Sequence, residues 1–230
     1  HIVTKARVSL WGRTVGAVIW NVERQRAEFQ YDAAFCRSGL DVAPIMMPLS
    51  QAGDGATVFS FGDVRDETFR GLPGLLADSL PDRFGEQILN AWLATQQRTP
   101  GSANPVERLC YTGRRGMGAL EFEPAHNDWE ASSEALQVEE LVRVAHSVLY
   151  ERAAFRTNNK KGREEALMDI LQVGTSAGGA RAKAIVAFNA DTGEVRSGQI
   201  DGLPGFTYCL IKFDGVTNEK LGDPKGYGRI

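Results

Sequence analysis

Apolar and polar residues alternate from Lys5 to Trp20 (KARVSLWGRTVGAVIW), with Val8 and Leu10 before Trp11-Gly12-Arg13 and Val15, Ala17 and Ile19 after it. A period of two on both sides of a small turn predicts a β-hairpin. Arg26–Tyr31 (RAEFQY) continues the pattern as a third strand. Asp32 stands where an N-cap belongs, ahead of a short helix over Ala33–Cys36. Pro44, Pro48, Gly53 and Gly55 then break the regularity, and Val58–Phe61 reads as another short strand.

Further on the period becomes helical. Pro81 closes one short helix and, with Asp82, opens a longer one over about Asp82–Gln97. Phe84, Ile88, Ala91 and Trp92 share a face of it and are expected in the core. Asp82 and Arg83 could be functional in that position, but a solvated or ion-paired surface is the preferred reading. Asn104 opens another helix, closed by Gly113. The basic run Gly113–Gly118 (GRRGMG) leads into a strand at Ala119–Phe122. It is an anion-site candidate by composition, but a tight helix-to-strand turn is the preferred reading.

Pro124–Ser133 is polar and linker-like, Val138–Phe155 and Glu164–Leu171 read as helices, and Arg156–Arg163 as a basic loop between them. Three strands close the pattern: Ala184–Phe188, then Val195–Ser197 after the turn Asn189–Glu194, then Phe206–Phe213 (FTYCLIKF). Strands and helices in this mixture predict an α+β fold.

Composition changes this picture little. The chain has 230 residues, 43% hydrophobic and 24% charged, with net charge −3 and a pI near 5.7. That is ordinary for one large globular domain or two smaller ones, and supplies no global field toward nucleic acid or anionic lipid. No apolar run approaches the ~20 residues of a membrane span, and no signal peptide is apparent. His1 stands where an initiating Met would, which suggests missing residues before Ile2. Cys36, Cys110 and Cys209 lack any CxxC spacing and point to a reducing cytoplasm. His1, His126 and His146 have no metal-ligand spacing, so no metal site is expected in this chain.

The chemistry concentrates in Val173–Phe188 (VGTSAGGARAKAIVAF). Small residues from Gly174 to Ala180 join a helix to a strand, and Arg181 and Lys183 follow at once. So little side-chain bulk lets several backbone N–H groups meet one anion, with a lysine adding charge. A flexible surface loop is the plain alternative. The run is no Walker A loop, since Ala180 and Arg181 stand where Lys and Ser/Thr should follow, and no dinucleotide fingerprint, since a strand follows the glycines. Glycine-rich backbone beside a strand, with a lysine on a later strand, is how protein kinases hold ATP phosphates. Lys212, alone in an apolar run, is the candidate for that second lysine; an edge-strand lysine facing water is the alternative.

Four stretches carry a family resemblance: Phe69–Gly85 (FRGLPGLLADSLPDRFG), Arg108–Phe122 (RLCYTGRRGMGALEF), the glycine-rich run, and Thr207–Gly215 (TYCLIKFDG). With the terminal DPKGYGRI, the chain resembles the HipA kinase toxins of bacterial toxin–antitoxin modules. The resemblance implies a β-rich N-terminal subdomain with helices over 1–123 and a protein/lipid-kinase-like N-lobe over 134–230, with the helical C-lobe absent from this chain. It implies a Ser/Thr kinase using ATP and Mg2+, autophosphorylated at Ser176. ATP phosphates would then be lined by Gly178, Gly179, Ala180, Arg181, Ala182, Lys183 and Lys212. Phosphate adds about −1.5 to −2 charge, so phosphorylated Ser176 would be expelled from beside ATP; Thr175 is a neighbouring hydroxyl.

Family loops often carry polar or acidic residues where Arg181-Ala182 stands here, so contacts there would be largely main-chain. The catalytic Asp, its companion Asn and the metal-binding Asp are expected beyond Ile230, which makes this chain inactive by itself. Implied partners are a helix-turn-helix antitoxin of the HipB type, operator DNA mainly through that antitoxin, and a protein target, an aminoacyl-tRNA synthetase in the best-known relatives. A non-catalytic antitoxin-docking and co-repressor module is the alternative, and a non-kinase anion-binding α+β domain a third.

Overall fold

The computed structural model describes residues 2–62, 66–114, 116–123, 183–198 and 202–213. The chain forms two compact units, one of His1–Leu80 with Ala103–Asn127 and one of Pro81–Ser102 with Asp128–Ile230. This division differs from a simple cut near residue 123, because 81–102 goes with the later part of the chain. The expected linker 124–133 and the helices at 138–155 and 164–171 lie outside the described residues.

The first unit is built on a five-stranded antiparallel sheet of β1 (Lys5–Leu10), β2 (Arg13–Asn21), β3 (Arg26–Tyr31), β4 (Val58–Phe59) and β5 (Leu120–Glu123). Its order is β4-β3-β2-β1-β5. The hairpin forms as expected, with Trp11 and Gly12 both at positive φ, 50° and 74°, as the tight turns matching strand twist require.

The expected alternation in β2 does not survive. Ser9 pairs with Thr14 and Val8 with Gly16, which leaves Val15 as an extra residue in β2. This bulge switches the buried set to Val18 and Trp20 and turns Ile19 outward at 44% exposure. Gly16 is needed there, since a Cβ would land on the Gln30 carbonyl of β3.

Ala6, Val8 and Leu10 of β1 and Ala27, Phe29 and Tyr31 of β3 face a core that also takes Phe35, Met47, Leu72, Leu76 and Leu109. Tyr31 sits at its aromatic centre, edge-on to Phe29 and Phe59 at ring distances of 4.9 and 5.8 Å. Its hydroxyl donates to the Met47 carbonyl at 3.0 Å, and burial, then Asp41 and Cys36, push its pKa up to about 12. The opposite sheet face carries Lys5, Arg7, Thr14, Ala17, Gln30 and Glu123 around an open concavity of about 740 Å³.

The first unit also has three short helices, α1 (Ala33–Cys36), α2 (Asp66–Phe69) and α3 (Gly74–Ala77). Asp32 caps α1 by accepting from the Ala34 and Phe35 amides. In the second unit, α4 (Arg83–Thr95) is capped by Asp82, and in the first, α5 (Pro105–Thr112) is capped by Asn104, whose Oδ1 accepts from the Glu107 amide at 2.9 Å. Asn104 also donates to the Val3 carbonyl. The buried residues of α4 are Phe84, Gly85, Ile88, Leu89 and Leu93. Ala91 and Trp92 are only half-buried, so the core face lies one residue round from the expected one, towards Leu89 and Leu93.

The second unit also holds a three-stranded antiparallel sheet of order β7-β6-β8, from β6 (Lys183–Phe188), β7 (Val195–Ser197) and β8 (Thr207–Lys212). The turn between β6 and β7 is organised by Asn189, whose side chain accepts from the Asp191 and Thr192 amides, with Gly193 at φ 71°. Ala184, Val186, Ala187 and Phe213 are buried. No helix among the described residues is long and apolar enough to cross a membrane.

Candidate functional site

The site grows from the paired strands β6 and β8. β6 (KAIVAF) is apolar apart from its first residue, and β8 (TYCLIK) apart from its two ends. Their antiparallel register sets Lys183 directly opposite Lys212, Ile185 opposite Leu210 and Ala187 opposite Tyr208. Directly opposed residues share a sheet face, and like charges so placed repel.

The two lysines differ in surroundings. Lys212 is exposed, whereas the Lys183 side chain is 4% exposed and its Nζ lies 3.2 Å from Asp82 Oδ2. Asp82 is nearly as deep, at 7%. Its other oxygen, Oδ1, accepts from the Gly85 amide at 2.8 Å and so caps α4. One carboxylate thus holds both the start of a helix and the first residue of the strand. Burial pushes the Asp82 carboxyl above its ordinary range, against the lowering pull of the Gly85 amide and of Lys183.

Ser176, Gly178, Gly179, Ala180, Arg181 and Ala182 lie outside the described residues. The structure brings together Lys183 and Lys212, and adds Asp82. Asp82, expected on a solvated or ion-paired surface, is ion-paired but with its side chain enclosed, while Arg83 beside it is exposed. Its place at the start of a helix was readable; the lysine partner was not. Two lysines opposed at one strand end, one neutralised and one exposed, suit an anionic ligand such as a nucleotide. We assign no Mg2+ ligand among the described residues, where no cluster of three or more His, Cys, Asp or Glu side chains is suited to a metal.

The other glycine-rich run is a turn. Gly113, at φ 54°, ends α5, and its carbonyl accepts from the Phe122 amide at 3.2 Å. Arg114 lies 3.4 Å from Glu121 and 3.1 Å from Glu123 on β5. Its charge is met by carboxylates of the next strand, as suits a helix-to-strand connection.

A bulged antiparallel sheet with a buried aromatic face, returned to by a capped helix and a final strand, places the first unit in the α+β class. The sequence profile of the HipA N-terminal domain matches residues 6–123, just over half of the chain and nearly all of the first unit's described residues. The chain belongs to the HipA N-terminal domain family, and so to a toxin–antitoxin context. None of the curated proteins matches it.

Proposed function

We propose that this chain forms the antitoxin-facing and nucleotide-holding part of a HipA-like serine/threonine kinase toxin. The second unit serves as a kinase-like N-lobe. Main-chain amides of Gly178–Ala182 meet the phosphates of ATP, Lys212 supplies a positive charge from β8, and Ser176 takes up phosphate as a self-limiting modification. Catalytic groups and Mg2+ ligands come from outside this sequence. The observation that carries the reading is the opposition of Lys183 and Lys212 on neighbouring strands, directly after a run of small residues, in a chain of the HipA family. Backbone amides with one lysine on an adjacent strand are a recurring solution for ATP phosphates.

The test is phosphopeptide mapping of the full-length gene product after incubation with Mg-ATP, beside Ser176→Ala. Phosphate on Ser176 that vanishes in the variant is expected. Persistent loop phosphate on Thr175 would move the site, and absence of both nucleotide binding and phosphate would end the kinase reading. In that case the docking and co-repressor reading takes its place, with operator DNA reached through a helix-turn-helix antitoxin. The family match ends at residue 123, short of the glycine-rich run and of β6–β8, and that favours this second reading.

A further inference from the structure

The two lysines at the head of the β6–β8 pair are placed to do different jobs. Both would project to one face of the sheet, because they stand opposite each other in register. Two ammonium groups so close disfavour each other unless one is neutralised. Asp82 performs that neutralisation: Lys183 Nζ lies 3.2 Å from its Oδ2, and both side chains are nearly sealed from water, at 4% and 7% exposure. Asp82 is itself fixed, since its Oδ1 takes the Gly85 amide at the start of α4. All three residues belong to the second unit.

A lysine enclosed in this way is poorly suited to follow a mobile anion. To reach a phosphate it would have to leave Asp82, and a buried carboxylate stripped of its partner is costly. Lys212, exposed at the strand end, has no such constraint.

We propose that Lys183 is a buried anchor and not a phosphate ligand: Asp82 and Lys183 together fasten the start of β6 to helix α4, and Lys212 is the lysine that meets the nucleotide. The inference rests on the nucleotide-site reading above and sharpens it. Asp82 is a positioning residue in this scheme. It acts through Lys183 and the first turn of α4, and touches no ligand.

The experiment compares Asp82→Asn, the double variant Asp82→Asn/Lys183→Met, and Lys212→Met in the full-length gene product, by thermal unfolding and by calorimetric titration with Mg-ATP. Asparagine caps helices about as well as aspartate, so Asp82→Asn chiefly removes the negative charge that lies 3.2 Å from Lys183 Nζ. A drop in unfolding temperature is expected, with recovery in the double variant, because methionine fills the lysine stem's space without charge. The double variant should bind Mg-ATP as the wild type does, while Lys212→Met weakens binding about ten-fold or more. If the double variant regains stability but binds about ten-fold more weakly, Lys183 is a ligand and the proposal is overturned. Unchanged unfolding in Asp82→Asn overturns it as well. A wild type that binds no Mg-ATP refutes the nucleotide reading separately, and the anchor is then judged by the melts alone.

Discussion

Among the described glycines of the second unit, Gly198 is the one least tolerant of added volume. It follows β7, and its amide donates to the Ile185 carbonyl of β6 at 3.0 Å. A Cβ built there would sit 2.6 Å from Ile185 Cγ2, 2.7 Å from its carbonyl carbon and 2.8 Å from its carbonyl oxygen. Two of those three atoms are backbone, so no rotamer change relieves the clash. Gly198→Ala must therefore push the chain away from β6. Overpacking of this kind costs about 1–3 kcal/mol, and a weakened backbone hydrogen bond adds about 1 kcal/mol. Against this, alanine stiffens the unfolded chain by about 0.4–1 kcal/mol. The net is a loss of roughly 1–3 kcal/mol, which for a unit of this size lowers the unfolding temperature by on the order of 3–12 °C. Gly193→Ala is the contrast, since that glycine has φ 71° but nothing within 4 Å of an added Cβ. Strain alone acts there, and a cost of about 1 kcal/mol is expected. Thermal and urea unfolding of both variants, followed by circular dichroism, measures the difference. Gly198→Ala unfolding at or above the wild-type temperature would refute the steric account.

Cys110 is fully buried, and burial, followed by the charge of Glu107, pushes its thiol up to about 12. A thiol titration at pH 8 should find Cys110 unreactive in the native chain and reactive in denaturant; rapid labelling of native Cys110 would contradict its burial. Tyr31 offers a pH handle on the first unit. Its folded pKa of about 12 lies above the ordinary value of 10.0, so the native state keeps the phenolic proton longer than the unfolded chain. That contribution to stability is complete below pH ~10 and is lost as pH rises toward ~12. Urea midpoints should therefore fall across this window in the wild type and less steeply in Tyr31→Phe, and equal slopes would count against it.

The elements that could be read from the chain are those whose determinants are local. The β1–β2 hairpin announces itself by alternation around Trp11-Gly12, and α5 by Asn104-Pro105 at its start and Gly113 at its end. The bulge at Val15 does not, because a single extra residue becomes visible only through its partners Val8 and Ser9. For α4 the helix was legible, but its buried side was set one residue off, since Leu89 and Leu93 compete with Ala91 and Trp92 and only the packing decides. At the candidate site the two lysines were found by composition. Asp82 was readable as the start of a helix and unreadable as a counter-ion, because its partner lies 101 residues away. The glycine-rich run itself, Ser176 included, lies outside the described residues.

That separation bears on how the protein is made. Helix α4 interrupts the first unit in sequence but belongs to the second, so it leaves the ribosome long before β6 exists. At about 5–20 residues per second, Asp82 waits on the order of 5–20 s for Lys183. During that interval Phe84, Ile88 and Leu93, buried in the finished molecule, lack much of the unit that will enclose them. The nascent chain therefore carries an apolar helix in search of cover, a natural hold point for a chaperone. A recombinant product cut at residue 123, where the family match ends, would keep Asp82 but never acquire Lys183.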